Sequence, residues 1–117
     1  MRIPPYPALA ILGLLLAAGG CKTKIAGGRA DGAKIFAEGC AKCHGPDGSP
    51  SAAMRRSIRV KDLTDPALQK RLTDAQIRKQ VANGSSNRLM PAFGDNLDEA
   101  QMDAIVKYVR TLGKKAK

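Results

Sequence analysis

The sequence predicts a single all-α domain, on the evidence of helix-start signals and of apolar spacing. The tetrapeptides that begin at Thr73 and Asp98 both read as capping boxes, in which a side-chain oxygen and a glutamine three residues later satisfy free N–H groups at a helix start. Apolar residues recur at helical spacing after the second box, and no segment has a convincing strand pattern. A chain of 117 residues suits one domain, so no multidomain enzyme fits.

The first twenty residues read as a signal peptide. Residues 8–18 form an uninterrupted apolar run that is too short to span a bilayer comfortably, and small residues follow it. Cys21 comes directly after two glycines, which resembles a lipoprotein signal whose cysteine becomes the lipid-bearing N-terminus. The alternative is ordinary cleavage among the small residues, which removes Cys21 or leaves it as a free thiol.

A flexible tether is expected over residues 21–30, which are rich in Gly and Lys and have no periodicity. It joins a lipid anchor at Cys21 to a domain over residues 31–117. The expected location is therefore the periplasmic side of a bacterial membrane, or the soluble periplasm if Cys21 carries no lipid.

The first two helices of the domain are predicted from their caps. Asp31 can cap a helix through about Gly32 to Cys43, in which Phe36 lies on the same face as the cysteines. A short helix is expected to begin near Pro66, with Asp65 as its cap, because proline is favoured at the first helical position.

The two capping boxes begin the remaining helices. The helix after Thr73 is predicted to stop at Asn83 and Gly84, where the chain turns. The terminal helix after Asp98 is predicted to end at Gly113. Its apolar residues form one core stripe: Met102, Ile105, Val106, Val109 and Leu112.

The composition favours a buried cofactor and acidic partners. Two Phe, two Tyr and no Trp leave little aromatic surface to fill a core, and a porphyrin would fill it. The formal net charge of +10 attracts acidic partners, but scattered basic residues and scarce aromatics argue against nucleic acid. The nearest thing to a basic patch reads equally as a solvated loop or a docking surface: Arg55, Arg56, Arg59 and Lys61.

A Cys-x-x-Cys-His motif at residues 40–44 carries the functional prediction. Cys40 and Cys43 are about one helical turn apart, so both thiols can form thioether bonds to the two vinyl groups of one haem. His44 is the sole histidine of the chain, so any proximal imidazole on the iron must come from it. The motif therefore predicts one covalently attached haem c.

Three other uses of this motif fit poorly. A zinc site needs four ligands, and the one further thiol or imidazole is Cys21, far away in the tether. A thioredoxin-like redox pair expects alternating strands and helices around it. A structural disulfide across two residues would be strained and would leave His44 without a role.

The motifs resemble class I cytochromes c from about Asp31 to Gly113. The resemblance rests on residues 32–36 ahead of residues 40–48, on residues 89–94, and on residues 108–110 in a final helix. It implies the cytochrome c fold, about four helices wrapped around one covalently attached haem. It also implies that the first and last helices cross closely, with Gly32 permitting the approach and Phe36 packing near Tyr108.

The resemblance assigns the second axial iron ligand to Met90. In that family the methionine sulfur is the sixth ligand, and the motif at residues 89–94 matches the loop that carries it. Pro91 would hold Met90 in an extended segment that suits a loop across a haem face. Two other methionines compete for the role, Met54 in a basic stretch and Met102 on the apolar side of the terminal helix.

The sequence departs from the family where relatives usually place a proline, whose carbonyl accepts a hydrogen bond from the ligating imidazole. Here Ile58, Arg59, Val60 and Lys61 occupy that region. We expect a backbone carbonyl to orient His44, but the sequence does not identify it. Any of the four basic residues at positions 55, 56, 59 and 61 could pair with a haem propionate.

These observations predict a monomeric carrier of single electrons that exchanges them with acidic redox proteins. No paired carboxylates, nucleophile with a base, or phosphate loop indicates an enzyme. One alternative is a haem enzyme or sensor whose open iron site binds peroxide or a gas. A second is a dedicated electron-transfer subunit of an oxidoreductase complex.

Overall fold

Six α-helices and one 3-10 turn make up the secondary structure of residues 23–115, the part of the chain that the computed structural model describes. This part contains no strand, and the predicted all-α class is confirmed. The turn spans Ile25–Gly28, and the helices follow in chain order: α1 Gly32–Gly39, α2 Ala41–His44, α3 Ala52–Ile58, α4 Pro66–Arg71, α5 Asp74–Asn83 and α6 Glu99–Leu112.

The first predicted helix is interrupted, and one helix was not predicted. The backbone at Cys40 leaves the helical region, with φ −123° and ψ −35°, so α1 ends at Gly39 and α2 starts at Ala41. Helix α3 begins after Ser51, whose hydroxyl accepts a hydrogen bond from the N–H of Met54. Its seven residues form too short a span for apolar periodicity to indicate a helix.

The predicted caps are confirmed at four helix starts. Asp31 accepts a hydrogen bond from the N–H of Lys34, and Asp65 accepts one from the N–H of Ala67. Both capping boxes are complete, one at the start of α5 and the other at the start of α6. Each cap satisfies N–H groups that would otherwise lack a partner, so the short helices start at defined residues.

Helices α1 and α6 pack directly against each other, as the family resemblance implied. A Cβ atom added at Gly32 would lie 2.7 Å from the Cβ of Tyr108 and would clash with the carbonyl oxygen of Ala104. The rings of Phe36 and Tyr108 lie with centroids 5.3 Å apart at a tilt of 48°. The absence of a side chain at Gly32 is what lets the two backbones come so close.

The core lies between these two helices and α5, which contributes Ile77 and Val81. The predicted stripe of α6 is buried at all five positions, and Ile35 and Phe36 of α1 pack against it. Gln101 is the sole buried polar residue among those described, and its amide group is fully used in hydrogen bonds.

The segment before α1 is packed against the domain. Ala26 is fully buried, and its N–H donates to the Glu38 carboxylate at 2.7 Å. The Gln101 side chain donates to the carbonyls of Ile25 and Arg29. The flexible tether expected over residues 21–30 therefore needs correction from Ile25 onward, because these hydrogen bonds and this burial are invisible in a Gly-rich sequence.

The predicted signal peptide and the lipidation site at Cys21 lie outside the described residues. Within residues 23–115 no helix is long and apolar enough to cross a membrane.

Candidate functional site

A cavity of about 1240 Å³ occupies the middle of the domain and brings the predicted site residues together. Cys40, Cys43 and His44 line it from the region where α1 passes into α2. Met90 lines it from the loop after α5. Apolar residues of several elements complete much of the lining: Phe36, Ile58, Val60, Leu63, Leu68, Leu72, Ile77, Val81, Phe93, Ile105 and Val109.

Both cysteines of the motif are free thiols. Burial, with a further contribution from neighbouring Cys43, raises the pKa of the Cys40 thiol to about 11. In the folded chain without haem this thiol is protonated at neutral pH, and a protonated thiol is a poor nucleophile. Neither sulfur is used in a disulfide, so both are available for thioether bonds.

His44 is held by a backbone carbonyl. Its Nδ1 lies 3.1 Å from the carbonyl oxygen of Lys61, and because a carbonyl can only accept, Nδ1 carries the proton in this contact. Burial lowers the pKa of His44, while the bond to Lys61 raises it, and the net shift is downward. The imidazole is thus neutral near pH 7, and the lone pair on Nε2 remains available for coordination.

The carbonyl of Lys61 is the partner that the sequence could not identify. The four-residue region in which it lies was recognised, but each of its residues carries an equivalent carbonyl. Identifying the carbonyl that reaches His44 requires the backbone dihedral angles of this region, including the left-handed conformation of Arg59 at φ 52°.

The loop that carries Met90 is fastened to itself. The N–H of Met90 donates to the Ser85 hydroxyl at 2.9 Å, and the carbonyl of Met90 accepts from the N–H of Ser85 at 3.0 Å. Gly84 adopts φ 71°, and a Cβ there would clash with the carbonyl oxygen of Met90. The loop therefore closes tightly and fixes the Met90 backbone beside the cavity.

Two further hydrogen bonds fasten the same loop to the end of α5. The N–H groups of Phe93 and Gly94 donate to the carbonyls of Val81 and Ala82, at 2.9 and 3.0 Å. These carbonyls belong to the last turn of α5, where a helix leaves acceptors without partners of its own. The loop is thereby anchored on both sides of Met90.

Among the described methionines, only Met90 lines the cavity. Met102 is buried in the core cluster, and Met54 lies on α3 outside the cavity lining. The geometry favours Met90 over both competitors as the ligand on the second face of a haem.

The charged residues of the cavity lining are mostly basic. Glu38 is its one acidic residue, and that carboxylate already accepts the Ala26 N–H. Five basic residues line the cavity, and they lie on α2, on the connection from α3 to α4, on α4 and on α5: Lys42, Arg59, Lys61, Arg71 and Lys79. Of the four residues singled out as a patch, Arg59 and Lys61 line the cavity, while Arg55 pairs with Asp62 at 3.6 Å.

A haem fits these residues. The cavity is large and mainly apolar, two free thiols lie on its wall, and a neutral imidazole and a thioether sulfur reach it from separate segments. Within residues 23–115 no group of three or more His, Cys, Asp or Glu side chains is arranged to hold a bare metal ion. The site therefore suits iron that a porphyrin brings with it.

Comparison with known proteins agrees with this geometry. Residues 28–109 match the family model described as cytochrome c oxidase, cbb3-type, subunit III. Cytochrome c6 of Cladophora glomerata is 40% identical over 80 residues, which cover 68% of this chain and 84% of that protein.

Two further similar proteins cover a comparable share of the chain. The FixP subunit of a cbb3-type cytochrome c oxidase from Azorhizobium caulinodans is 37% identical over 82 residues, which span 70% of this chain but 26% of that protein. A solved structure described as the KustC0563 c-type cytochrome superposes with a TM-score of 0.64 at 28% identity, covering 70% of this chain and 96% of that one.

Proposed function

The chain belongs to the class I c-type cytochromes, in the family described as cytochrome c oxidase, cbb3-type, subunit III, and we propose that it carries single electrons on one haem c. The haem c is covalently bound, and we assign its attachment to Cys40 and Cys43. His44 and Met90 are the proposed axial ligands. The observation that carries the proposal is that one cavity gathers these four side chains.

The proposed ligand pair suits electron transfer. When bound, the haem supplies an iron that changes oxidation state by one electron. His44 is kept neutral and fixed by the Lys61 carbonyl, and Met90 is fixed by the closed loop after Gly84. Rigid ligands change position little between oxidation states, and a thioether ligand raises the reduction potential relative to a second imidazole.

The proposed partners are acidic redox proteins. Five basic side chains line the cavity against one carboxylate that is already hydrogen-bonded, so the local field favours negative surfaces. Such a field accelerates encounter more than it tightens the complex, which suits brief electron-transfer contacts.

We further propose that the protein works on the periplasmic side of a bacterial membrane, with a signal peptide over residues 1–20 and a lipid on Cys21. The domain begins close to that anchor, since packing against α1 and α6 starts at Ile25. A subunit role in an oxidase complex is supported by the similarity to FixP. The match covers about a quarter of the length of FixP. Mass spectrometry of the membrane fraction tests the lipid, and co-purification tests the subunit role.

The absorption spectrum of the ferric holoprotein tests the central proposal. A low-spin spectrum with a weak far-red methionine-to-iron band is expected for the wild type. That band should disappear in Met90→Ala and remain in the matched variant Met54→Ala, because Met54 lies outside the cavity lining. A high-spin wild-type spectrum would overturn the carrier proposal in favour of an open iron site that binds peroxide or a gas.

A further inference from the structure

The segment that carries the Lys61 carbonyl has no regular structure of its own. Residues 59–65 connect α3 to α4 without a helix, and Lys61 is exposed. A lysine side chain does not by itself fix the backbone ψ angle that orients its carbonyl group. The contact of that carbonyl with His44 Nδ1 must therefore be fixed by neighbouring groups.

Asp62 shares that peptide group and has a half-buried side chain with every oxygen in use. Its Oδ1 accepts the Thr64 hydroxyl at 2.6 Å and the Thr64 N–H at 2.9 Å. Its Oδ2 accepts the Ser49 hydroxyl at 3.2 Å and lies 3.6 Å from a guanidinium nitrogen of Arg55. These contacts fix Asp62 on both sides of its carboxylate.

The Asp62 contacts join the Lys61 segment to the loop that leaves His44. Ser49 directly follows the tight turn after His44, in which the Gly48 N–H donates to the Gly45 carbonyl. The adjoining Leu63 N–H donates to the Gly48 carbonyl at 2.9 Å. The donor ring and the acceptor carbonyl are thus tied together through two bonds between the same two segments.

We propose that Asp62, with Thr64, is a positioning residue that holds the Lys61 carbonyl against His44 Nδ1 and thereby sets the reduction potential of the haem. This rests on the proposed function, in which His44 is an iron ligand. A strong bond at Nδ1 gives the imidazole more anionic character, which favours the ferric over the ferrous state. Weakening the bond therefore raises the potential.

Thr64→Val is the principal test, because it removes the shortest bond to Asp62 without changing charge. We expect a higher reduction potential than wild type; a tenfold change in the relative stability of the two oxidation states corresponds to about 59 mV. In the ferrous protein, the His44 Nδ1 proton should exchange faster with solvent. Thr64→Ser keeps the hydroxyl and should retain the wild-type potential and exchange rate.

Asp62→Ala removes all four contacts and should exceed Thr64→Val in both readouts. Because it also removes a negative charge, which raises the potential by itself, Asp65→Asn serves as the matched control. Asp65 is an exposed carboxylate three residues away, so its neutralisation should leave Nδ1 exchange unchanged.

Unchanged potential and unchanged exchange in Thr64→Val would overturn the positioning role. If the wild-type protein lacks a low-spin spectrum, the proposed ligation fails instead, so the two failures are distinguishable. Should Asp62→Ala not fold, the uncharged Thr64 pair still decides the question.

Discussion

Gly32 of α1 lies against Tyr108 of α6 at a distance that leaves no room for a β-carbon. The added atom would come within 2.7 Å of the Tyr108 Cβ and would clash with the backbone of Ala104. Backbone cannot rotate away as a side chain can, so Gly32→Ala must push the helices apart. Overpacking of this kind costs about 1–3 kcal/mol, which chemical denaturation of the holoprotein should detect as a lower free energy of unfolding.

The matched control for this prediction is Ala33→Ser. It adds one heavy atom to the neighbouring, exposed position of α1, and should change the free energy of unfolding by less than about 0.5 kcal/mol. Equal stability of Gly32→Ala and Ala33→Ser would contradict the close crossing of α1 and α6.

Gln101 has two separable roles at the start of α6, and Gln101→Glu divides them. Its Oε1 accepts the Asp98 N–H of the capping box, and glutamate can keep that bond. Its Nε2 donates to the carbonyls of Ile25 and Arg29, and a carboxylate cannot. Leaving these part-buried acceptors without donors costs at most about 1–3 kcal/mol.

We therefore expect Gln101→Glu to lower the free energy of unfolding and to release the segment before α1. Amide hydrogen exchange should rise at residues 25–30 while α6 stays protected. Gln76→Glu, at the same position of the other capping box but exposed, should leave both quantities near wild type. Protection of residues 25–30 that survives Gln101→Glu would count against this anchoring role.

The sequence predicted the features that depend on local chemistry. Caps at Asp31, Asp65, Thr73 and Asp98 rest on short-range hydrogen bonds, and the structure confirms each of them. The buried stripe of α6 follows from helical spacing alone, and it too is confirmed.

What the sequence did not predict depends on contacts between distant segments. The turn at Ile25–Gly28 is held by Gln101, more than seventy residues away. The Lys61 carbonyl reaches His44 only because the chain turns at Arg59 and is tied back at Asp62. Backbone acceptors carry no signature in a sequence, so positions of this kind require the fold.

The basic lining predicts a salt-dependent encounter with acidic partners. Lys79 is exposed on α5 and lines the cavity, so Lys79→Glu should slow bimolecular electron exchange with an acidic redox protein at low ionic strength. Electrostatic steering contributes about 10–10³-fold to such rates, and a single reversal should remove several-fold of it. Stopped-flow kinetics over a range of salt concentrations measures both the rate and its slope.

Lys107→Glu is the matched control for that reversal. Lys107 is exposed on α6 outside the cavity lining, and the change in net charge is identical. If the two variants slow electron exchange equally, the electrostatic steering comes from the net charge of the whole protein and not from the surface around the cavity.

The Asp62 carboxylate makes the stability of the protein depend on acidic pH. Burial opposes its ionisation, but the bonds from Thr64 and Ser49 and the charge of Arg55 outweigh burial and lower its pKa from the usual 3.8. The unfolded chain then binds the proton more readily than the folded one. Stability from this group is fully present above pH 3.8 and is lost as pH falls through the lower, folded pKa.

Asp62→Asn cannot titrate, so its free energy of unfolding should fall less steeply than that of the wild type below about pH 4. Thr64→Val keeps the carboxylate but removes one hydrogen bond to its charged form. The pH dependence of its free energy of unfolding should therefore be steeper than that of Asp62→Asn and less steep than that of the wild type. Denaturant titrations of the holoprotein at a series of pH values give the three slopes. Identical slopes in all three proteins would mean that the Asp62 carboxylate gains nothing from these partners on folding, and the wild-type acid sensitivity would have to come from other carboxylates.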